Sequence, residues 1–289
     1  ELYREGPPTV AGALNPPAAA TRVEGGWRIT GRCPFGSGCH NAQWLAMPAI
    51  EGAGGSKVEE ATGQPFAVFF PRAAATILDT WHTVGMRGTG SADYAVEDLF
   101  VPDHLTAPVA PLTRPAPGFD GPLFRLWPWT AILGETIVSV GVAAAAVDAA
   151  VHVCRTKTAA YNTTPLREQQ LVQFQIAKAG ARVEAARATV HRAAEVAYDE
   201  VARSGALLSR DAKIRLQLAV CFAAEASAEA VRFVSDAVGT SSIRIGQPFE
   251  RHFRDVHVLL QHASKCGARY GSAGRLMFGL ENDWIWLSF

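Results

Sequence analysis

Two rhythms of apolar residues divide the chain. Through the first third, short apolar stretches such as "WRIT", "QWLAMPAI" and "FAVFF" are separated by "GALNPP", "EGAGGS" and "RGTGS", and that density of turn formers predicts a β-rich domain. Gly25 and Gly26, between Val23 and the Trp27 to Ile29 segment, predict a hairpin, while "ADYAVEDLFVP" alternates and stops at Pro102. From about residue 130 the pattern becomes alanine-rich with few breakers. Charges there recur at helical spacing, as in Glu184 with Arg187, Arg192 with Glu195 and Asp199 with Arg203, which predicts solvated helix faces. Breaks at "YNTTP" (161 to 165), "RSG" (203 to 205) and "VGTSSIRIGQP" (238 to 248) divide this half into four long helices, an antiparallel bundle. The Pro/Gly-rich stretch from roughly 107 to 122 is the expected linker, giving a β-rich domain over 1–115 and a helical bundle over 116–289. The first ten residues read as disordered.

Composition narrows the class of partner. The 289 residues carry 27 Lys+Arg against 27 Asp+Glu, so no global field draws the chain to nucleic acid or to an anionic membrane. The hydrophobic fraction of 48% supports a large core. The run "IVSVGVAAAAVDAAVHV" from Ile137 is broken by Ser139, Gly141 and Asp148 and reads as a buried core helix rather than a membrane span. Five cysteines without a CxxC predict reduced cytoplasmic thiols, and the N-terminus lacks the basic and apolar regions of a signal peptide.

The stretch "CPFGSGCHNAQW" (33 to 44) invites three chemical readings. Cys33, Cys39 and His40 suggest a metal, but no second ligand pair lies nearby in sequence, and none is expected. A nucleophile elbow is disfavoured because the Gly-x-Ser-x-Gly pattern is missing. A turn at a strand end uses the same glycines for left-handed backbone.

Three strings in fixed order, "VEGGWRITGRCPFGSG" (23 to 38), "DTWHTVGMRGTGSADYAVEDLFVP" (79 to 102) and "FERHFRDVHVLLQH" (249 to 262), resemble the acyl-CoA dehydrogenase superfamily. More closely they resemble its two-component (group D) flavin-dependent monooxygenases, over nearly the whole chain. The resemblance implies an α+β fold in which a β-barrel-like middle domain precedes the four-helix bundle, with the family's N-terminal helical domain missing. It implies reduced flavin from a separate reductase, and O2, used to hydroxylate a small aromatic or heteroatom-containing substrate through a hydroperoxide at flavin C4a, in a homotetramer.

The resemblance also assigns residues. The "PFGSG" segment would run along the flavin ring, making Phe35, Ser37 and Gly38 cofactor residues, with Gly36 and Gly38 allowing close approach. Arg155 corresponds to an arginine facing the flavin phosphates, although the phenylalanine-glycine pair that follows it in the dehydrogenases is missing, which favours FMN over FAD. Dehydrogenases that place their base in the last string carry a glutamate eight residues after the aspartate, and here that place holds Ala263. His262 stands one residue earlier and is the expected catalytic group, as an imidazole suits proton handling near neutral pH. His257 is expected to point elsewhere on the same helix, and Arg254 with Asp255 to form a structural pair. Two other readings stay open: an acyl-CoA dehydrogenase or oxidase whose base is Glu184, Glu195 or Glu225, and a non-catalytic assembly subunit.

Overall fold

A computed structural model describes residues 6–52, 63–108 and 118–288. The described residues group into two compact units, one of 6–83 with 87–108 and one of 84–86 with 118–288. The expected boundary at 115, with most of the linker, lies outside the described residues.

The first unit is a mixed eight-stranded sheet. Its strands are β1 (Val10–Gly12), β2 (Ala18–Val23), β3 (Gly26–Cys33), β4 (Trp44–Glu51), β5 (Phe66–Pro71), β6 (Thr76–Leu78), β7 (Asp93–Pro102) and β8 (Thr106–Pro108). They lie in the order β6-β7-β3-β2-β4-β5-β8, with β1 beside β4. The hairpin predicted around Gly25 is the β2–β3 pair, closed by Glu24 and Gly25 with Val23 opposite Gly26. The alternation of "ADYAVEDLFVP" becomes β7, which buries Tyr94, Val96 and Val101 against Ile29, Leu45 and Phe70. Val10, read as disordered, instead opens β1 in parallel register with Trp44, and Thr9 exchanges bonds with Gln43.

The second unit holds α1 (Trp129–Cys154), α2 (Gln170–Ser204), α3 (Arg210–Val238), α4 (Pro248–Leu260) and α5 (Ala268–Met277). The four expected helices are present, but the fourth has 13 residues and a fifth follows it. The first ends at Cys154, ahead of "YNTTP", where residues 155–169 form turns and a short 3-10 segment. Small residues account for the packing: Ala179, Ala186, Ala223, Ala226 and Ala230 let α2 and α3 approach closely, with Val183, Val231 and Val234 filling the seam. The Ser209 hydroxyl caps α3 by accepting from the Ala212 N–H, and α2 stops at Gly205 in the left-handed region. Helix α1 is long and apolar enough to cross a membrane; in the bundle it buries Trp129, Ile132, Val140, Ala143, Ala146 and Ala150.

Candidate functional site

In the sheet unit, β3 delivers the chain into the loop that follows Cys33. Phe35 adopts a left-handed φ of 58° and its ring is 67% exposed, resting edge-on against Trp81 at 6.3 Å between centroids. Ser37 is exposed, and its hydroxyl lies 2.8 Å from that of buried Ser91, which lies 2.8 Å from that of Thr89. Each hydroxyl has one proton to give. Ser37 can therefore give its proton to Ser91 and keep lone pairs outward, or accept from Ser91 and turn its own proton outward.

The two flanking glycines differ in purpose. Gly36 is buried, and a Cβ there would meet the Tyr94 ring at 2.7 Å and the Ala92 carbonyl oxygen at 2.9 Å. Its missing side chain makes room for Tyr94, which corrects the expectation that it clears a path for a ligand. Gly38 has φ +83° and nothing nearer than 3.8 Å to a built Cβ, so its requirement is conformational.

Cys33 and Cys39 act as buried thiol donors, to the Ala13 carbonyl at 3.6 Å and to the Gly90 carbonyl at 3.6 Å, and burial pushes both thiols up. His40 is exposed and packs beside Gly90. Among the described residues no group of three His, Cys, Asp or Glu comes together.

The helical unit places the other expected residues. Arg155 directly follows α1 with its side chain exposed, and its carbonyl accepts from Arg167. Arg254 and Asp255 do not bond to each other as expected. Arg254 pairs with Glu250 and donates to the Val84 carbonyl, while Asp255 accepts from the Met86 N–H at 2.6 Å, so together they hold the 84–86 segment. His257 stacks on Phe253 and bonds that residue's carbonyl through Nδ1 at 2.6 Å. Glu184 and Glu195 lie on exposed helix faces, ion-paired with Arg187 and Arg192, and exposed Glu225 accepts from the Tyr270 hydroxyl.

His262 does not lie on a helix, because α4 ends at Leu260. A tight turn carries it instead: its N–H reaches the Leu259 carbonyl, and its own carbonyl accepts from the Lys265 and Cys266 N–H groups. Two helices fix that turn. From α3, fully buried Gln217 donates to the Ser264 carbonyl at 2.8 Å, and from α1 the Glu135 carbonyl accepts from Lys265 Nζ at 3.1 Å. The side chain of His262 is 54% exposed, with Nδ1 turned inward, 3.1 Å from Glu135 Oε1 and 2.8 Å from the Ser264 hydroxyl, which itself bonds Glu135.

Burial pushes the Glu135 carboxyl up, but the His262 bond, the charges of Lys265 and His262 and the Ser264 bond together outweigh it and hold Glu135 below the usual carboxylate range. Lys265, only 1% exposed, is pushed down by burial against the opposing pull of Glu135. Sequence reading missed Glu135, Ser264 and Lys265. Ser264 and Lys265 follow His262 directly and could have been flagged, but Glu135 sits 127 positions earlier inside an apolar run with no local signal.

Comparison with known proteins bears on what these clusters are for. Residues 133–265 match the family described as acyl-CoA dehydrogenase, C-terminal domain. Over 284 residues, 97% of this chain and 70% of the relative, the sequence is 32% identical to indole-3-acetate monooxygenase of Pseudomonas putida. The chain belongs to the two-component flavin-dependent monooxygenases of the acyl-CoA dehydrogenase superfamily. A second relative in this monooxygenase family is the oxygenase component of FADH(2)-dependent resorcinol hydroxylase from Rhizobium sp. (strain MTP-10005), 30% identical over 97% of this chain and 71% of its own length. Among solved structures, XiaF from Streptomyces sp. in complex with FADH2 and glycerol superposes with a TM-score of 0.86 at 26% identity, over 97% of this chain and 71% of XiaF. This flavin-dependent monooxygenase is thus an oxidoreductase, and the Ala263 departure from the dehydrogenase pattern agrees with that assignment.

Proposed function

We propose that the protein is the oxygenase component of a two-component system that hydroxylates a small, electron-rich aromatic compound. The observation that carries this reading is His262, an exposed imidazole held by its inner nitrogen, where the superfamily pattern would place a dehydrogenase's glutamate one residue later. The aromatic class follows the indole and resorcinol named for the two relatives. When bound, the reduced flavin supplies the two electrons by which one oxygen atom of O2 enters the product and the other leaves as water.

Exposed Phe35 and Ser37 fit a planar, polar-edged ring, since the relayed hydroxyl of Ser37 serves an N–H donor or a carbonyl acceptor equally well. Gly38 sets the backbone of that wall, and Arg155 offers an exposed cation for flavin phosphate. His262 holds or moves a proton at its outward nitrogen, toward the substrate hydroxyl or ring nitrogen that activates the attacked carbon.

For the form of the flavin, the relatives weigh more than the missing phenylalanine-glycine pair. FADH2 is named for the resorcinol hydroxylase and is bound in XiaF, so FADH2 is proposed over FMNH2. A separate reductase supplies it, in keeping with the relative's designation as an oxygenase component. We place the protein in the cytoplasm on its free thiols, and as a homotetramer, the assembly that the family resemblance implies.

Anaerobic titration with FADH2 and FMNH2, followed by O2 with indole and phenol substrates, tests this reading. Saturable binding and a hydroxylated product are expected, and His262→Ala should lower product and raise hydrogen peroxide. Undiminished coupling in that variant removes His262 from the chemistry, and reduction of the bound flavin by acyl-CoA would overturn the monooxygenase reading.

A further inference from the structure

Three polar atoms meet on the inner side of His262, and counting their protons decides which ring nitrogen is protonated. Glu135 is held as a carboxylate, so it only accepts. The Ser264 hydroxyl bonds Glu135 and must therefore give it its single proton. The same oxygen lies 2.8 Å from His262 Nδ1, and having spent its proton it can only accept there, so Nδ1 must donate. The direct approach of Nδ1 to Glu135 Oε1 at 3.1 Å demands the same. One contact opposes this, the Ser264 N–H at 3.3 Å from Nδ1, which would need a lone pair on that nitrogen. It is the longest contact in the cluster and stands alone against two bonds to or through a carboxylate.

We propose that Glu135 and Ser264 are positioning residues that lock His262 in the Nδ1–H form, so that Nε2, on the exposed side of the ring, is the atom that exchanges a proton with substrate. The proposal rests on the reading of His262 given above and assigns it an atom and a cause. The geometry is rigid enough for the task, since α1 and α3 both hold the turn through Lys265 and Gln217. Around it α1 presents Glu135, the turn presents Lys265 and Cys266, and α3 presents Gln217, whose Nε2 donates to the Ser264 carbonyl, and Cys221, whose thiol burial pushes up to about 11. A carboxylate behind an imidazole fixes its tautomer and orientation, and loss of that arrangement in hydrolases costs orders of magnitude.

The test reads the ring directly in the flavin-free full chain. Histidine-selective 15N spectra, with the His262 signals assigned by their loss in His262→Ala, should show protonated Nδ1 and unprotonated Nε2 in the neutral form. In Glu135→Leu the Ser264 proton is released toward Nδ1, and the ring should invert to Nε2–H. Ser264→Ala should keep Nδ1–H, because Glu135 still accepts directly.

With reduced flavin and O2, Glu135→Leu should lower the hydroxylation rate on the order of 100-fold, and Glu135→Asp should restore part of it. A wild-type ring in the Nε2–H form, or no tautomer change in Glu135→Leu, overturns the proposal. Should Glu135→Leu fail to fold, the wild-type spectrum and Ser264→Ala still decide. If the tautomers come out as stated but His262→Ala remains fully coupled, the assignment of the proton stands and the role of His262 in hydroxylation falls.

Discussion

Gly36 separates two explanations for the same residue, and Gly36→Ala discriminates between them. If the glycine exists to let a flavin approach the main chain, alanine should weaken flavin binding and leave the free protein's stability alone. The structure says otherwise. A Cβ would lie 2.7 and 2.8 Å from two carbons of the Tyr94 ring and 2.9 Å from the Ala92 carbonyl oxygen, whereas carbon atoms pack comfortably at about 3.5 to 4.0 Å. Relief requires the ring to move by several tenths of an ångström. Tyr94 is fully buried, its hydroxyl donates to the Ala46 carbonyl at 2.5 Å and accepts from the Ala13 N–H at 3.3 Å, so the ring cannot move without stretching both bonds.

Overpacking costs about 1–3 kcal/mol and a weakened internal hydrogen bond about 1 kcal/mol more, so Gly36→Ala should destabilise the sheet unit by roughly 2–4 kcal/mol. Native-state hydrogen exchange at β3 and β7 amides reads that unit by itself, and exchange there should speed up by roughly 30-fold to several hundred-fold. In a Tyr94→Leu background most of the penalty should vanish, because the ring atoms that meet the new methyl are gone. Unchanged exchange in Gly36→Ala, combined with weakened flavin affinity, would refute the packing explanation and restore the cofactor one.

Three further outcomes are expected. Tyr94→Phe leaves the Ala46 carbonyl and Ala13 N–H without their buried partner and should cost about 1–3 kcal/mol by urea denaturation, with no change in the denaturant slope. Because the Glu135 pKa is lowered in the folded chain, its contribution to stability is fully present above its ordinary value of 4.5 and is lost as pH falls through the folded value; wild type should exceed Glu135→Gln in melting temperature at pH 6, and the gap should close toward pH 3. Phe249→Ala, at a position 1% exposed near the start of α4, should destabilise the helical unit by about 3–5 kcal/mol in thermal melts, and a smaller loss would mean that α4 is not integral to the core.

What could be read in the sequence follows from how far each signal reaches along the chain. The β2–β3 hairpin and the α2 and α3 periodicities are local, each set by neighbours within a few residues, and each was legible. The Ser37–Ser91 bond was half legible: both residues lie in glycine-rich strings that drew notice, but their contact spans 54 positions and depends on where β7 pairs with β3. Glu135 was invisible because the residue type carries no meaning until α1 packs beside the 262–265 turn. The helix assumed under His262 failed for a related reason. "LLQHASK" has no Gly or Pro to mark the stop at Leu260, and the turn is made by tertiary bonds from Gln217 and Lys265.

Glu135 could itself be cast as the missing dehydrogenase base, since it is a carboxylate within reach of the turn where that base is expected. Its surroundings argue against this. Abstraction of a weakly acidic α-proton needs a carboxylate whose affinity for protons is raised, by burial without compensating donors. Around Glu135 burial acts in that direction but is outweighed by a serine proton, an imidazole and a buried ammonium, so the group is a poorer base than a glutamate in water. Its Oε1 is turned toward both Ser264 and His262. On the proposed function the proton acceptor is instead His262, whose outward nitrogen is not engaged by Glu135 or Ser264. On the proposed role of His262, the carboxylate that α-proton chemistry would use directly acts one step back, behind the base that replaces it.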